Sequence, residues 1–260
     1  MESILSAIFE GSNEVVLVAF GVFARVGAVA FLLPGIGERG ISLRIRLGAA
    51  LALTALLTPM LASFVPASPT TAPALVKMLA AEETIGLIIG FSFRVLVFSL
   101  QITGMVAAQH LSVAQMFGAG VAPEPEPTIA TLLAMGGITL ALMAGLHVKI
   151  LATLVHMYDV LPFGQFPNAP SVGSWATARM AETFGLGIAM AAPFVAIGFA
   201  YNIALGVLNR AMPQLLVAIV GIPFLLWIGM VSLRLVLPSL FDEWFKHLDS
   251  VFLDPLGGLR

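Results

Sequence analysis

The sequence contains no cysteine and very little charge. Without cysteine it can hold neither disulfides nor thiolate metal sites. Charged residues fill 10% of its 260 positions, against about 25% in an ordinary soluble domain. That is too little to cover a water-facing surface of this size. The charges nearly cancel, leaving a formal net charge of −2, so no basic field draws nucleic acid. There is no G-x-x-x-x-G-K-[ST] phosphate cradle and no H-E-x-x-H metalloprotease helix. Ser92 and Ser174 lack a G-x-S-x-G setting. Gly35-x-Gly37, Gly118-x-Gly120 and Gly185-x-Gly187 follow no strand of a βαβ unit and read as turns or helix-packing surfaces. His147, His156 and Asp159 could share a helix face, but they lack a fourth ligand and Lys149 would oppose a cation. Ordinary helix-end hydrogen bonding is the better reading. No catalytic, metal or cofactor site is expected.

What the chain does have is apolar length, with 59% hydrophobic residues in continuous runs. Continuous runs exclude the alternating pattern of a membrane β-barrel, and the class is an all-α polytopic membrane protein. The start, MESILSAIFEGSNE, is acidic and has no A-x-A site, so it reads as an uncleaved helix rather than a signal peptide. About six helical segments follow from the periodicity. A short lead-in at 2–13 precedes a span over 15–33, which Pro34-Gly35 stops. Further spans are expected over 47–61, 74–108, 128–158, 177–208 and 214–237. An amphipathic tail over 239–253 sets Leu240, Trp244, Leu248, Val251 and Phe252 against Asp242, Glu243, Lys246 and Asp249. Pro193 is expected to kink the fifth span. The tight linker NRAMPQ, with Arg210, Pro213 and Gln214, joins the last two spans as a hairpin, which suggests a division near 170–180.

The third segment is too long for a lipid span. Thirty-five residues at 1.5 Å reach roughly 50 Å, beyond a ~30 Å hydrocarbon core. It also carries Lys77, Glu82, Glu83 and Arg94, while Arg25 sits near the middle of the first span. A charge at mid-bilayer costs at least ~2.5–3.5 kcal/mol, so each should have a partner. Two cations, Arg25 and Arg94, balance two anions, Glu82 and Glu83. This favours ion pairs between helices over a proton or substrate pathway. Basic residues are spread too evenly among the loops to fix an orientation, a hint that these helices do not all lie in lipid. Gly86-x-x-x-Gly90 marks a face that meets another backbone.

Residues 101–127, QITGMVAAQHLSVAQMFGAGVAPEPEP, hold no Lys or Arg and close on Pro123, Glu124, Pro125, Glu126 and Pro127. Composition alone leaves this stretch open between a connector and a working element.

Five stretches in order resemble the FliR/SctT family of type III export-gate proteins. They are Phe23-Ala24-Arg25 with LPGIGERGISLRIRLGAALALTALLTP, then EETIGLIIGF, then AAQHLSVAQMF with its acidic-proline end. Tyr158-x-x-Leu161-Pro162-x-Gly164 and LNRAMPQLLVAIVGIPF complete the series. The chain departs from the family's usual Gly at His110, Pro at Ile41-Ser42 and Asn at Leu216.

The resemblance implies a non-enzymatic subunit of an export gate, built from helical hairpins rather than a standard transmembrane bundle and lifted largely out of the bilayer. It implies P and Q gate subunits as partners, larger basal-body components around them, and unfolded export substrates. It also implies a P-like part over 1–175 and a Q-like hairpin over 176–260. The loop at about 109–123 would be a pore plug, involving Gln109, His110, Leu111, Gln115, Met116, Phe117, Gly118 and Gly120. Flexible Met116 and Phe117 could fill a lumen, and Gly118 and Gly120 could let the loop swing aside. The flagellar system, in the bacterial inner membrane, is preferred over its virulence counterpart. A secondary transporter with broken helices at Pro193 and Pro223 is the reading from another class. It should show two related halves, whereas the spans divide four plus two.

Overall fold

In the computed structural model, which describes residues 2–38, 40–61, 71–110, 128–211 and 217–257, the apolar runs fold as helices throughout. Seven are described: α1 (Glu2–Leu32), α2 (Leu43–Leu61), α3 (Ala72–His110), α4 (Thr128–Met143), α5 (Leu146–Val160), α6 (Ala169–Ala211) and α7 (Val217–Leu253). Four of them, α1, α2, α3 and α6, are long and apolar enough to cross a membrane, and α4 with α5 makes a bent fifth candidate.

The boundaries differ from the sequence reading where a single residue overrides a long pattern. The expected lead-in and first span are one helix, which ends where Pro34-Gly35 predicts. The expected span over 128–158 is broken. Gly145 adopts φ 84°, its N–H bonds the Leu142 carbonyl at 3.1 Å, and the helix axis bends by 75°. An L-residue would resist that left-handed conformation. The proline-rich stretch after Tyr158 becomes helical early, at Ala169. Asn168 caps the new helix through its side chain to the Ser171 N–H at 3.3 Å, and Pro170 falls in the first turn, where no N–H is needed. The last span and the amphipathic tail form one helix, α7. Within that tail Leu240, Trp244, Leu248 and Val251 are buried while Asp242, Glu243 and Lys246 stay exposed.

The chain divides into two compact units. One comprises residues 1–94, 142–177 and 249–260, and the other residues 95–141 and 178–248. In the first, α1 packs against α2, and the N-terminal part of α3 lies on α1. Gly86 and Gly90 make that approach. A Cβ on Gly86 would run into the Arg25 carbonyl and Ala28, and one on Gly90 would come within 2.9 Å of Leu32 Cβ. In the second unit, a Cβ on Gly104 would strike the Ala130 backbone, and one on Gly187 would meet Ile102 and the Ser99 carbonyl. The Thr103 hydroxyl lies 3.0 Å from the Gly187 carbonyl, and Trp244 Nε1 donates to the Leu96 carbonyl at 2.9 Å. The apolar window of α3 is 67% buried inside the protein, against 17% for that of α2.

Candidate functional site

A fully buried arginine is the chemical centre of the first unit. Arg25 stands on α1 and Glu82 on α3, and both side chains have 0% exposure. Arg25 donates from Nε to Glu82 Oε2 at 2.7 Å and from Nη2 to Glu82 Oε1 at 3.0 Å. This fork-on-carboxylate geometry is the strongest form of the pair. The Arg25 Nη2 also donates to the Leu161 carbonyl at 3.1 Å. The Tyr158 ring lies under the guanidinium, 3.7 Å from Cζ. Glu82 accepts a third bond from the Gly164 N–H at 2.8 Å, and the Tyr158 hydroxyl stands 3.5 Å from its Oε2.

Each part is placed by local backbone chemistry. Gly164 holds φ 73°, which turns its N–H toward Glu82. The Leu161 N–H still bonds the Met157 carbonyl at 2.8 Å, leaving its own carbonyl free to accept from Arg25. Phe163 lies beside Tyr158, with ring centroids 6.2 Å apart, and presses on Gly21 of α1, where a Cβ would collide with it. The loop after α5 is thereby tied to α1 and α3 at once. Burying two ions costs several kcal/mol each, which the fork on Glu82, the Leu161 carbonyl and the Tyr158 ring offset, although Arg25 Nη1 is buried without a hydrogen-bond partner among the described residues. With the carboxylate surrounded by donors, the arrangement holds backbone in place and leaves Glu82 little freedom to carry protons or bind substrate.

The other expected charges go elsewhere. Arg94 pairs with Glu38 of the turn after α1, and the Glu38 carbonyl accepts from Arg46 at the start of α2. Glu83 is exposed and has no ion pair among the described residues. It lines an apolar groove between α1, α2 and α3. Gln109 and His110 belong to the last turn of α3, Gln109 exposed and His110 half-buried. His110 lies against Gly198 of α6, where a Cβ would come within 2.8 Å of it. Leu111, Gln115, Met116, Phe117, Gly118 and Gly120 lie outside the described residues, as do Pro213 and Gln214. Arg210 is exposed in the last turn of α6.

Among the described residues no three of His, Asp and Glu gather as metal ligands. His156 and Asp159 face each other at 3.5 Å on the exposed side of α5. Sequence reasoning missed Tyr158, Leu161, Gly164 and Glu38 as partners. The Tyr158-x-x-Leu161-Pro162-x-Gly164 pattern was the available signal, because a glycine placed just beyond a helix end often holds a left-handed turn.

Among the described residues there are helices and no strands, with four or five apolar candidates for crossing a membrane, and this defines an all-α polytopic membrane protein. The profile of bacterial export proteins, family 1, matches residues 16–251. The flagellar biosynthetic protein FliR of Caulobacter vibrioides is 32% identical over 241 residues, covering 91% of this chain and 96% of its own length. FliR of Pectobacterium carotovorum is 28% identical, covering 92% of this chain and 91% of its own. FliR of Escherichia coli is 27% identical with the same coverage of 92% and 91%. The chain belongs to the bacterial export proteins, family 1, the family to which these FliR proteins are its relatives.

Proposed function

We propose that this chain is a non-enzymatic structural and gating subunit of the flagellar type III protein export channel. It works in the bacterial inner membrane, within the flagellar basal body, and helps unfolded export substrates across. The observation that carries this reading is the family match over nearly the whole chain, together with relatives named for flagellar biosynthesis. The length of α3 and its charges at Lys77, Glu82, Glu83 and Arg94 support a helix made for an assembly rather than for lipid on all sides. Its partners in this reading are the P and Q gate subunits. Residues 1–175 take the P-like role and 176–260 the Q-like role.

The stretch from Gln109 to Pro123 is the plug in this proposal. His110, held against Gly198, gives its start a fixed anchor. With no Lys or Arg in the stretch, acidic substrate segments would pass without being held. Arg25, Glu82, Tyr158 and Gly164 serve as a brace within the first unit.

Deleting Ala114–Gly120 in the full chain tests the reading. A plug predicts ion leak across the inner membrane with assembly retained. An unchanged barrier, with the protein present at normal level, removes the gating role. Loss of flagellar export from a null strain, restored by the intact chain, tests the export role separately.

A further inference from the structure

The groove that Glu83 lines has a volume of about 470 Å³, and its walls are apolar. Phe20, Phe23 and Phe31 come from α1, Leu43 and Leu47 from α2, and Leu79 from α3. Among these, Phe20, Phe31, Leu43 and Leu47 are exposed by 48–75%, so much apolar surface is left uncovered. Into this lining projects one carboxylate.

Among the described residues Glu83 pairs with no cation. Arg25 of α1 is taken by Glu82. Arg46 also lines the groove, but it donates to the Glu38 carbonyl and stands over the Phe31 ring, 5.9 Å from its centroid. Gly86 lies against Arg25 and Ala28, which sets Glu83 near the level of Phe23 and Ala24. Phe31 and Arg46 therefore lie about 10 Å further along, seven residues at 1.5 Å each. The groove thus shows a lone anion part-way along an apolar surface, inside a helix apolar enough to cross a membrane. A carboxylate so placed is costly without a counter-charge. A lipid tail would satisfy the walls but not the carboxylate.

We propose that this groove receives an apolar helix of a partner protein carrying one Lys or Arg, whose charge pairs with Glu83. Charge complementarity selects the occupant, and the phenylalanine-lined walls supply the packing surface. The inference rests on the reading of the chain as one subunit of an assembly. It adds where a neighbour docks and what that neighbour must carry.

A photo-crosslinking amino acid at Leu47 of the full-length chain, in its native membrane, reads the occupant directly. The expected adduct is a peptide from an apolar helix with a single basic residue. Glu83→Gln should lower the adduct yield about tenfold, the scale of one partly desolvated ion pair. Glu83→Lys should abolish the adduct, and changing the partner's basic residue to Glu should restore it. Adducts with lipid alone, with a second copy of this chain, or with a helix lacking a basic residue overturn the proposal. So does a yield indifferent to Glu83→Gln. Size-exclusion chromatography of the solubilised protein runs beside it. An intact assembly without the expected adduct sinks the docking site and leaves the subunit reading standing. A chain found alone sinks both.

Discussion

The two halves of α3 hold their neighbours by different means. Up to Arg94 the helix lies in a unit built around a buried ion pair, and its glycines fit the backbone of α1. From Val95 onward it lies in a unit in which no charged side chain is buried among the described residues. There the contacts are Gly104 on Ala130, Gly187 on Ile102, the Thr103 hydroxyl and the Trp244 indole. Small residues suffice where one helix lies on another, because both backbones already satisfy their own hydrogen bonds. The first unit must also hold a loop, residues 161–168, whose backbone groups have no helix to satisfy them. A long cationic side chain can reach that loop and serve it, and Arg25 does so through the Leu161 carbonyl.

The sharpest way to break this contrast is to remove one ion. Arg25→Ala or Glu82→Ala leaves a buried charge without its partner and should cost about 3–5 kcal/mol. The folded protein recovered in detergent, or its resistance to a denaturant series, reads the loss. Arg25→Met combined with Glu82→Met should recover only part of it, since it removes the unpaired charge but leaves the Leu161 carbonyl and the Gly164 N–H without partners. Single substitutions tolerated as well as the double would contradict the clamp.

How much of this was legible beforehand depends on the kind of signal. Membrane class, the long third helix and its burial followed from continuous apolar runs and misplaced charges. That Arg25 needed a partner also followed. Which of Glu82 and Glu83 would be that partner did not. Successive helix residues point about 100° apart, so the answer lay in how α3 meets α1. The break at Gly145 was hidden because the apolar run continues through it. Asn168 and Pro170 looked like loop because proline inside a helix and proline in its first turn read alike in sequence. Of the stretch singled out at first, 101–127, residues 101–110 end α3 and residues 111–127 lie outside the described residues, so the plug role is a proposal.

Glycine substitutions probe the second unit. Gly104→Ala places a methyl group on the Ala130 backbone, which cannot give way as a side-chain tip can, and should cost about 1–3 kcal/mol. Gly185→Ala meets nothing within 4 Å and should be neutral or stabilise α6 by up to about 1 kcal/mol through helix propensity. Thermal unfolding in detergent compares the two. Equal effects would mean that backbone contact is not what holds this unit. A loss of similar size, about 1–3 kcal/mol, is expected from Trp244→Phe, which keeps an aromatic side chain but leaves a smaller ring in a buried site and removes the donor to the Leu96 carbonyl.

The least effect should come from the first unit's exposed ion pair, which separates charge as such from buried charge. Lys149 of α5 pairs with Asp249 of α7, with side chains 45% and 56% exposed. Water already solvates both, and holding two flexible side chains together costs entropy, so such pairs contribute about 0–1 kcal/mol. Lys149 also stands 5.6 Å from the Phe252 ring, a contact that an uncharged side chain of the same length would lose as well. Asp249→Asn therefore isolates the ion pair, since it keeps the shape of the side chain and leaves Lys149 over Phe252. It should shift stability by less than about 0.5 kcal/mol, and by less still at high salt, where surface charges are screened. If Asp249→Asn destabilised the protein as much as Glu82→Ala, burial would not be what gives Arg25 and Glu82 their weight. The difference between the two units would then have to be sought in the turn at Gly164.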